Sequence, residues 1–434
     1  METNLARIAE NVEKHPKEPL QTLVHAINPE TLAAKHRQMN GQKASGIDSV
    51  TKAQYQENLE ENLQNLMERM KRQAYKPQPV KRVHIPKAGT NKKRPLGIPA
   101  YEDKLVQGVM ADILSIIYEP KFEGHSYGFR PNRSCHDAIK SLNTLIEKKK
   151  VSYIVDADIK GFFDNLDHDW TMKFLAHDIA DPNFLRLIKR FLKAGIMEEA
   201  KHIRSDIGAA QGGSISPVIA NVYLHYVLDL WFNKVIKKTS RGESYMIRYA
   251  DDFVCAFQYQ DDAQRFLKAL QERLQKFSLD IAEEKTKLIE FGRFAADSRA
   301  KRGQGKPETF DFLGFTHYCS KSQKGKFRVK RKTSRKKFQA KIQVMKQWLK
   351  DNMHTHHKEL IRKLNVKLQG HYQYYGITDN YPGIQLFQRL ATIILNKTLK
   401  RRTRRDGLTW TKYNRMLEYD PIIKPKIYVN VYST

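Results

Sequence analysis

Apolar residues recur along this chain at helical spacing in several long segments. Residues 51–72 are predicted to form an amphipathic helix whose apolar face consists of five side chains: Leu59, Leu63, Leu66, Met67 and Met70. The same periodicity predicts four further helical segments: 101–118, 170–193, 217–238 and 261–277. Runs of β-branched and aromatic residues predict a short buried strand at 153–159 and a strand–turn–strand at 245–257.

Two stretches depart from this pattern. Residues 75–99 are rich in proline and basic side chains, which predicts extended strands and loops. From Lys321 to Lys341 lysine and arginine dominate and no acidic residue occurs. This change of composition indicates a boundary, and a helical, basic C-terminal region is expected from residue 335 to the end.

Composition narrows the class of protein. The chain has 434 residues, 40% of them hydrophobic, which is typical of folded domains, and it carries a formal net charge of +30. Such an excess indicates a polyanionic partner, for which nucleic acid is favoured over an anionic membrane surface. No apolar run is long enough to span a membrane. The three cysteines are far apart in sequence, which argues against a zinc site or a disulfide framework and fits a cytoplasmic location.

Three aspartates are the candidate chemistry. Asp251 and Asp252 are predicted at the tip of a hairpin flanked by apolar residues, and Asp158 ends a second apolar strand. If these strands are neighbours, the carboxylates converge and can hold two Mg²⁺ ions, with Mn²⁺ as a possible substitute. Taken alone, an aspartate pair in a turn is as readily a structural feature, since Asp is a common turn residue.

The order of the surrounding motifs decides between these interpretations. Eight segments stand in the order found in one family: KASGIDSV (43–50), VKRVHIPKAGTNKKRPLGIP (80–99), HSYGFRPNRSCHDAI (125–139), DADIKGFFDNLDHD (156–169), AAQGGSISPVIANVYLHYVLD (209–229), RYADDFV (248–254), EEKTKL (283–288) and FLGF (312–315). With these motifs the chain resembles, over nearly its full length, the reverse transcriptases of bacterial group II introns, which are also called intron-encoded maturases.

The resemblance implies an α+β fold shaped like a right hand, with an antiparallel palm sheet and a helical thumb. It implies an N-terminal extension and fingers at 1–150, a palm at 151–320, and a basic linker with the thumb or maturase domain at 321–434. Many proteins of this family end in a zinc-dependent HNH nuclease. No such motif is found here, so endonuclease activity is not expected.

The resemblance also implies roles for individual residues. Asp158, Asp251 and Asp252 match the metal-binding carboxylates, and Lys285 matches a lysine that protonates the leaving pyrophosphate, although a lysine in EEKTK is also typical of a surface ion pair. Five residues are expected to contact the nucleotide: Lys87, Arg94, Phe163, Gln211 and Gly212.

Each nucleotide contact has a physical reason. The two cations would neutralise and orient the triphosphate. A ring at Phe163 would clash with a 2′-hydroxyl and select deoxynucleotides, although Phe162 beside it is open to the same interpretation and either ring can equally be a core residue. The chain departs from the family at Ala209-Ala210, where Thr-Pro is usual, which bears on nucleotide fit.

Basic residues outside this site are expected to bind RNA. They are Arg130, Lys330, Arg331, Lys332, Arg335, Lys336, Arg401, Arg402, Arg404 and Arg405. Positive side chains along a phosphate backbone release counterions, so binding should weaken as salt rises. For Arg130 a purely structural role in its Gly-Phe-Arg-Pro setting is the alternative.

The implied function is an RNA-directed DNA polymerase that binds intron RNA and assists its splicing and mobility. Its partners would be an RNA template, the intron RNA, a DNA primer or target DNA, and dNTPs. Two alternatives stay open at this point. One is the same polymerase serving a host role such as DNA repair or phage defence, and the other is a non-enzymatic maturase that only scaffolds RNA.

Overall fold

The computed structural model describes residues 4–86, 93–198, 201–203, 208, 212–402 and 407–432. The helices are α1 (Asn4–Lys14), α2 (Pro29–Gln38), α3 (Lys52–Glu57), α4 (Leu59–Lys71), α5 (Tyr101–Tyr118), α6 (Cys135–Lys148), α7 (His168–Asp178), α8 (Pro182–Lys193), α9 (Ser216–Leu224), α10 (Lys237–Thr239), α11 (Gln260–Lys276), α12 (Ala295–Lys301), α13 (Arg335–Asp351), α14 (His357–Tyr375), α15 (Tyr381–Lys400) and α16 (Trp410–Tyr419). A 3₁₀ turn covers Val24–Ala26, and π-helical segments cover His225–Asp229 and Phe232–Ile236.

The strands form three sheets. They are β1 (Val80–Pro86), β2 (Lys93–Ile98), β3 (Tyr153–Asp158), β4 (Ile196–Glu198), β5 (Lys201–Ile203), β6 (Ser244–Tyr249), β7 (Asp252–Phe257), β8 (Lys287–Glu290), β9 (Phe310–Phe312), β10 (Phe315–Lys321) and β11 (Phe327–Thr333). The sheet orders are β2-β1-β4-β5, β6-β7-β3-β8 and β11-β10-β9. Antiparallel pairs predominate among the registers described, with β1 and β4 the parallel exception. The fold is therefore mixed α and β with antiparallel sheets.

Local signals predicted the bounds of some elements. Helix α5 covers the predicted 101–118, and β3 begins at Tyr153 as expected. The segment predicted as helical over 170–193 is helical but divided into two helices, α7 and α8. The side chain of Asp181 accepts hydrogen bonds from the first backbone N–H groups of α8, and Pro182 occupies its first turn. A capping acid followed by proline starts a new helix rather than continuing an old one.

Residues 51–72 also form two helices instead of one. The break is at Asn58, whose backbone (φ −125°, ψ 44°) leaves the helical region between α3 and α4. The apolar face predicted for this segment is nevertheless partly realised, since Leu63 and Leu66 are buried. Periodicity thus identified the buried face but not the interruption.

The chain divides into two compact units. The first comprises the described residues of Met1–Ile85, Lys93–Ala138 and Ala157–Leu288, and the second includes Ile139–Asp156 and Ile289–Thr434. The division into 1–150, 151–320 and 321–434 stays a prediction. Within the described part of the chain, no helix is long and apolar enough to cross a membrane.

The second unit combines the β9–β11 sheet with helices α13 to α16. Helices α13, α14 and α15 pack around a core that includes Leu349, Leu364, Tyr372, Phe387 and Leu395. The basic run from Lys321 is thus the end of β10, the strand β11 and the start of α13, so the helical region does begin at the expected Arg335.

Candidate active site

The two adjacent aspartates lie at the tip of a hairpin, as the sequence predicts. Strands β6 and β7 pair in an antiparallel register that sets Tyr249 opposite Asp252, so Ala250 and Asp251 form a two-residue turn. Ala250 has φ +58°, a left-handed conformation that favours glycine and costs other residues about 1–2 kcal/mol. A strained residue of this kind persists only where its surroundings hold it, and such residues cluster at functional sites.

Asp158 ends β3 and is joined to a second segment by the backbone. The N–H of Ala282 donates to the carbonyl of Asp158 (2.8 Å), and the N–H of Lys160 donates to the carbonyl of Asp280 (2.8 Å). The chain then turns, with the N–H of Lys285 donating to the carbonyl of Ala282 (3.0 Å). This turn brings the Lys285 ammonium onto the Asp158 carboxylate, to which it donates a hydrogen bond.

The charges of these residues act on one another. Burial raises the pKa of the Asp251 carboxyl, and the charge of Asp158 raises it further, while Arg94 and Lys285 act in the opposite direction. The hydrogen bond to Asp158 raises the pKa of Lys285, so this side chain stays protonated at neutral pH. The structure therefore brings together four residues that the sequence assigned to one site.

The donor set fits a divalent cation. Burial and the neighbouring charge of Asp158 both oppose ionisation of Asp251, and a positive ion held by the two carboxylates would offset this cost. Among the described residues, no three His, Cys, Asp or Glu side chains converge as a closed metal cage. An open site with few carboxylates is what Mg²⁺ uses when substrate phosphates complete its shell.

The predicted nucleotide contacts are only partly described. Lys87 and Gln211 lie outside the described residues, as do Ala209 and Ala210. Gly212 has φ +121°, and a Cβ atom there would lie 2.4 Å from the carbonyl oxygen of Gly97. Glycine is required at this position because the loop packs directly on the backbone of β2.

The aromatic pair after Asp158 is buried. Phe162 and Phe163 are 2% and 8% exposed, and their rings meet edge to face at 5.3 Å. Phe162 also contacts the ring of Tyr223 (6.2 Å), which is itself fully buried. Phe162 is thus a core residue, and Phe163, the less enclosed of the two, keeps its predicted role at the sugar as a prediction.

The contacts of Arg130 favour a structural role over RNA binding. Its guanidinium pairs with the carboxylate of Glu119 (2.7 Å) and donates to the carbonyls of Glu123 (2.7 Å) and Ser126 (2.9 Å). The residue is only 7% exposed. A guanidinium engaged in this way anchors its own loop instead of presenting its charge to RNA.

Arg331 requires the same correction. Because side chains alternate between the two faces of β11, Arg331 lies in the interior of the second unit. There it is 0% exposed and donates a hydrogen bond to Asn143 (2.7 Å). Lys332, Arg335 and Lys336 are exposed, as expected for nucleic-acid contacts, and Lys330 is half-buried. Arg401 is exposed, Arg402 donates to the carbonyl of Thr355 (2.5 Å), and Arg404 and Arg405 lie outside the described residues.

Three residues at the base of the turn were missed by sequence reasoning. Arg248, on β6, pairs with Asp229, and both side chains are 0% exposed. Asn221 contacts the same guanidinium (3.1 Å). A usable signal was present, since an arginine inside an apolar strand needs a buried acid and Asp229 is the acid in the apolar segment 220–229.

Comparisons with known proteins identify the family of this chain. The family model described as "Reverse transcriptase (RNA-dependent DNA polymerase)" matches residues 85–317, more than half of the chain. The "Group II intron-encoded protein LtrA" of Lactococcus lactis subsp. cremoris is 36% identical over 231 residues, which cover 52% of this chain and 38% of that protein. This chain therefore spans well under two thirds of that relative's length.

Two further relatives extend the comparison. "Protein YkfC" of Escherichia coli (strain K12) is 34% identical over 271 residues, covering 55% of this chain and 71% of that protein. The "Uncharacterized 91 kDa protein in cob intron" of Schizosaccharomyces pombe is 38% identical over 163 residues, covering 38% of this chain and 20% of that protein. On these matches, the chain belongs to the reverse transcriptase (RNA-dependent DNA polymerase) family and is similar to a group II intron-encoded protein of that family.

Proposed function

We propose that this protein is an RNA-directed DNA polymerase of the group II intron type that also binds intron RNA and assists its splicing and mobility. The observation that carries the proposal is the convergence of Asp158, Asp251, Lys285 and Arg94 within the segment that matches the family. Its substrates would be an RNA template, a DNA primer or target DNA, and dNTPs.

The carboxylates give the site its metal preference. Asp158 and Asp251, with Asp252 directly after the turn, would hold divalent cations, for which we propose Mg²⁺ with Mn²⁺ as a substitute. When bound, two such ions stabilise the attacking and leaving oxygens of phosphoryl transfer. Hard oxygen ligands and the absence of a cysteine pair both fit this choice.

The cations around the carboxylates would act on the nucleotide. Arg94, together with Lys87, would bind the triphosphate and hold its leaving group in line. Lys285, protonated and hydrogen-bonded to Asp158, would supply a proton to the leaving pyrophosphate oxygen. Phe163 would lie below the sugar, and Gln211 with Gly212 would contact the template and nucleotide.

The right-hand description belongs to this proposal. We assign the palm to the sheet that carries Asp158 and the hairpin, the fingers to the β1–β2 region before it, and the thumb to the helices α13 to α16. The exposed cations Lys332, Arg335 and Lys336, followed by Arg401, would bind RNA phosphates in the second unit.

Primer extension on an RNA template, with dNTPs and Mg²⁺, tests the polymerase. Asp251→Asn keeps the shape of the side chain but removes its charge, so it should abolish cDNA synthesis and leave RNA binding intact. Asp169→Asn, an exposed aspartate on α7, is the matched control and should extend the primer like the wild type. Tight RNA binding by a wild type that makes no cDNA would replace this proposal with the non-enzymatic maturase.

A splicing assay tests the intron role. Intron RNA from the gene's neighbourhood should splice faster at low Mg²⁺ when the protein is added, and Asp251→Asn should still stimulate it. Active polymerase without any effect on splicing would leave the enzyme assignment in place and move the biological role to a host process.

A further inference from the structure

The catalytic hairpin is anchored from within by a buried ion pair. Arg248 lies on β6, two residues before the turn, and its Nε and Nη2 donate to the two carboxylate oxygens of Asp229 (2.8 and 2.5 Å). Both side chains are fully buried. Burial opposes ionisation of Asp229, but the side chains of Arg248 and His125 together outweigh it and hold the pKa of this carboxyl well below its ordinary value.

The same guanidinium reaches the turn itself. Its remaining nitrogen, Nη1, donates to the carbonyl of Ala250 (2.9 Å) and to the side-chain oxygen of Asn221 (3.1 Å). Ala250 is the residue with the left-handed backbone, so its carbonyl direction is the feature that this hydrogen bond fixes. Arg248 therefore links a buried carboxylate on one element to the strained residue beside Asp251.

The segment from His125 to Gly128 makes a second set of contacts at the turn. The N–H of Arg248 donates to the carbonyl of His125 (2.9 Å), and the N–H of Tyr127 donates to the carbonyl of Arg248 (2.8 Å). This pairing lays Gly128 against the turn so closely that a Cβ atom would lie 2.3 Å from the backbone nitrogen of Ala250. The amide of Asn221 donates to the carbonyl of Gly128 (2.7 Å) and ties both contacts together.

Stability alone does not account for such a network. A buried ion pair is weak evidence for stability, because the desolvation of two charges offsets most of their attraction. The pair does fix the orientation of the Arg248 guanidinium, because a guanidinium bound by both carboxylate oxygens cannot rotate. A guanidinium held in this way can fix the orientation of the Ala250 carbonyl, to which it donates a hydrogen bond.

We propose that Arg248, Asp229 and Asn221 are positioning residues that hold the Ala250–Asp251 turn in the conformation in which Asp251 meets Asp158. This inference rests on the proposed polymerase function. None of the three needs to touch substrate, since their effect passes through the backbone of the turn. A small displacement of a catalytic group is enough to lower turnover strongly.

The test compares Asp229→Asn and Arg248→Lys with the wild type in steady-state primer extension. Asp229→Asn keeps side-chain size, Arg248→Lys keeps the positive charge, and each removes the bidentate pairing. We expect kcat to fall roughly 10- to 100-fold and the Mg²⁺ concentration for half-maximal rate to rise several-fold, the loss typical of groups that orient metal ligands. The KM for dNTP and the Kd for RNA should stay within about twofold of wild type, because no contact to either is removed.

Asp178→Asn is the matched control for burial. Asp178 is a buried carboxylate of the same unit, paired with Lys121 and with the hydroxyl of Tyr226, and neither of these partners belongs to the turn. Its loss should lower the melting temperature but leave kcat and the Mg²⁺ dependence of the folded enzyme unchanged. A general stability effect would instead lower kcat in all three variants alike.

Two substitutions that change no charge keep the proposal testable if those proteins fail to fold. Gly128→Ala changes no charge but forces the turn to move, and Asn221→Ser removes the link between Gly128 and Arg248. Both should lower kcat with unchanged RNA affinity. Wild-type kcat in folded Gly128→Ala and Asn221→Ser would overturn the proposal.

Hydrogen exchange separates this inference from the polymerase assignment. Peptides that cover residues 246–254 should exchange faster in Asp229→Asn than in wild type or Asp178→Asn, whether or not the wild type makes cDNA. An inactive wild type with this pattern would reject the polymerase while retaining the anchoring of the turn. Equal exchange in all three proteins would reject the anchoring itself.

Discussion

Arg331 and Lys332 are neighbours on β11 whose side chains lie on opposite faces of the strand. Arg331 is fully buried, whereas Lys332 is exposed and lies 5.8 Å from the ring centre of Tyr318. We predict that Arg331→Met leaves RNA affinity unchanged. Lys332→Met should weaken it, because a cation available to a phosphate is lost.

The contacts of Arg331 set the expected change in stability. Its guanidinium donates to Asn143 (2.7 Å) and to the carbonyl of Val329 and lies 3.5 Å from Asp379, but Nε and Nη1 have no hydrogen-bond partner in the described part of the chain. Leaving Asn143 unpaired costs about 1–3 kcal/mol, and removing two unpaired buried donors recovers a comparable amount. Asp379 keeps the hydrogen bond from Tyr432 (2.8 Å). What remains is the loss of the Arg331 charge beside Asp379, which should lower the free energy of unfolding by at most about 3–5 kcal/mol.

Fluorescence anisotropy of a labelled RNA, repeated over a series of salt concentrations, measures both variants. Lys332→Met should reduce the slope of log K against log salt by about one, the share of one phosphate contact. Arg331→Met should keep the wild-type slope. Thermal unfolding of each protein alone reports stability, and Lys332→Met should stay within about 0.5 kcal/mol of wild type, as surface changes do.

An equal loss of RNA affinity and of salt slope in the two variants would refute this reasoning. That result would mean that Arg331 reaches RNA and that the alternation of β11 does not separate the two side chains. A loss of affinity confined to Arg331→Met would contradict it as well.

Three further predictions concern single residues. Lys285→Met should lower the kcat of primer extension on the order of a hundredfold, with RNA affinity retained, because the proton donor that we propose beside Asp158 is lost; single-turnover kinetics checks this. Gly212→Ala should lower stability by about 1–3 kcal/mol, because its Cβ would meet the carbonyl of Gly97 at 2.4 Å and φ is +121°; thermal unfolding measures it. Gly370→Ala, on α14 with nothing within 4 Å of the new methyl group, should raise stability by about 0.5–1 kcal/mol in the same assay, and a decrease would contradict the open environment of this glycine.

Local sequence determined much of the fold because helix starts and apolar faces depend on residues close in the chain. The end of α7 and the start of α8 follow from Asp181 and Pro182, although the periodicity alone had merged the two helices. The hairpin at Asp251 follows from two apolar runs separated by a short turn. These features need only the preferences of a few adjacent residues, so a single sequence is enough to find them.

The sequence by itself determined the family, the hairpin and the candidate carboxylates. Only the tertiary structure decided which cations serve the fold: Arg130 and Arg331 stand in basic stretches, yet both are buried and paired within the protein. It also decided that Arg248 pairs with Asp229, 19 positions away, and through that pair holds the backbone beside Asp251. The physical reason is that packing between elements sets the partner of a buried charge. Helices and strands depend mainly on residues close in the chain, whereas the contacts between them join residues that are far apart in sequence.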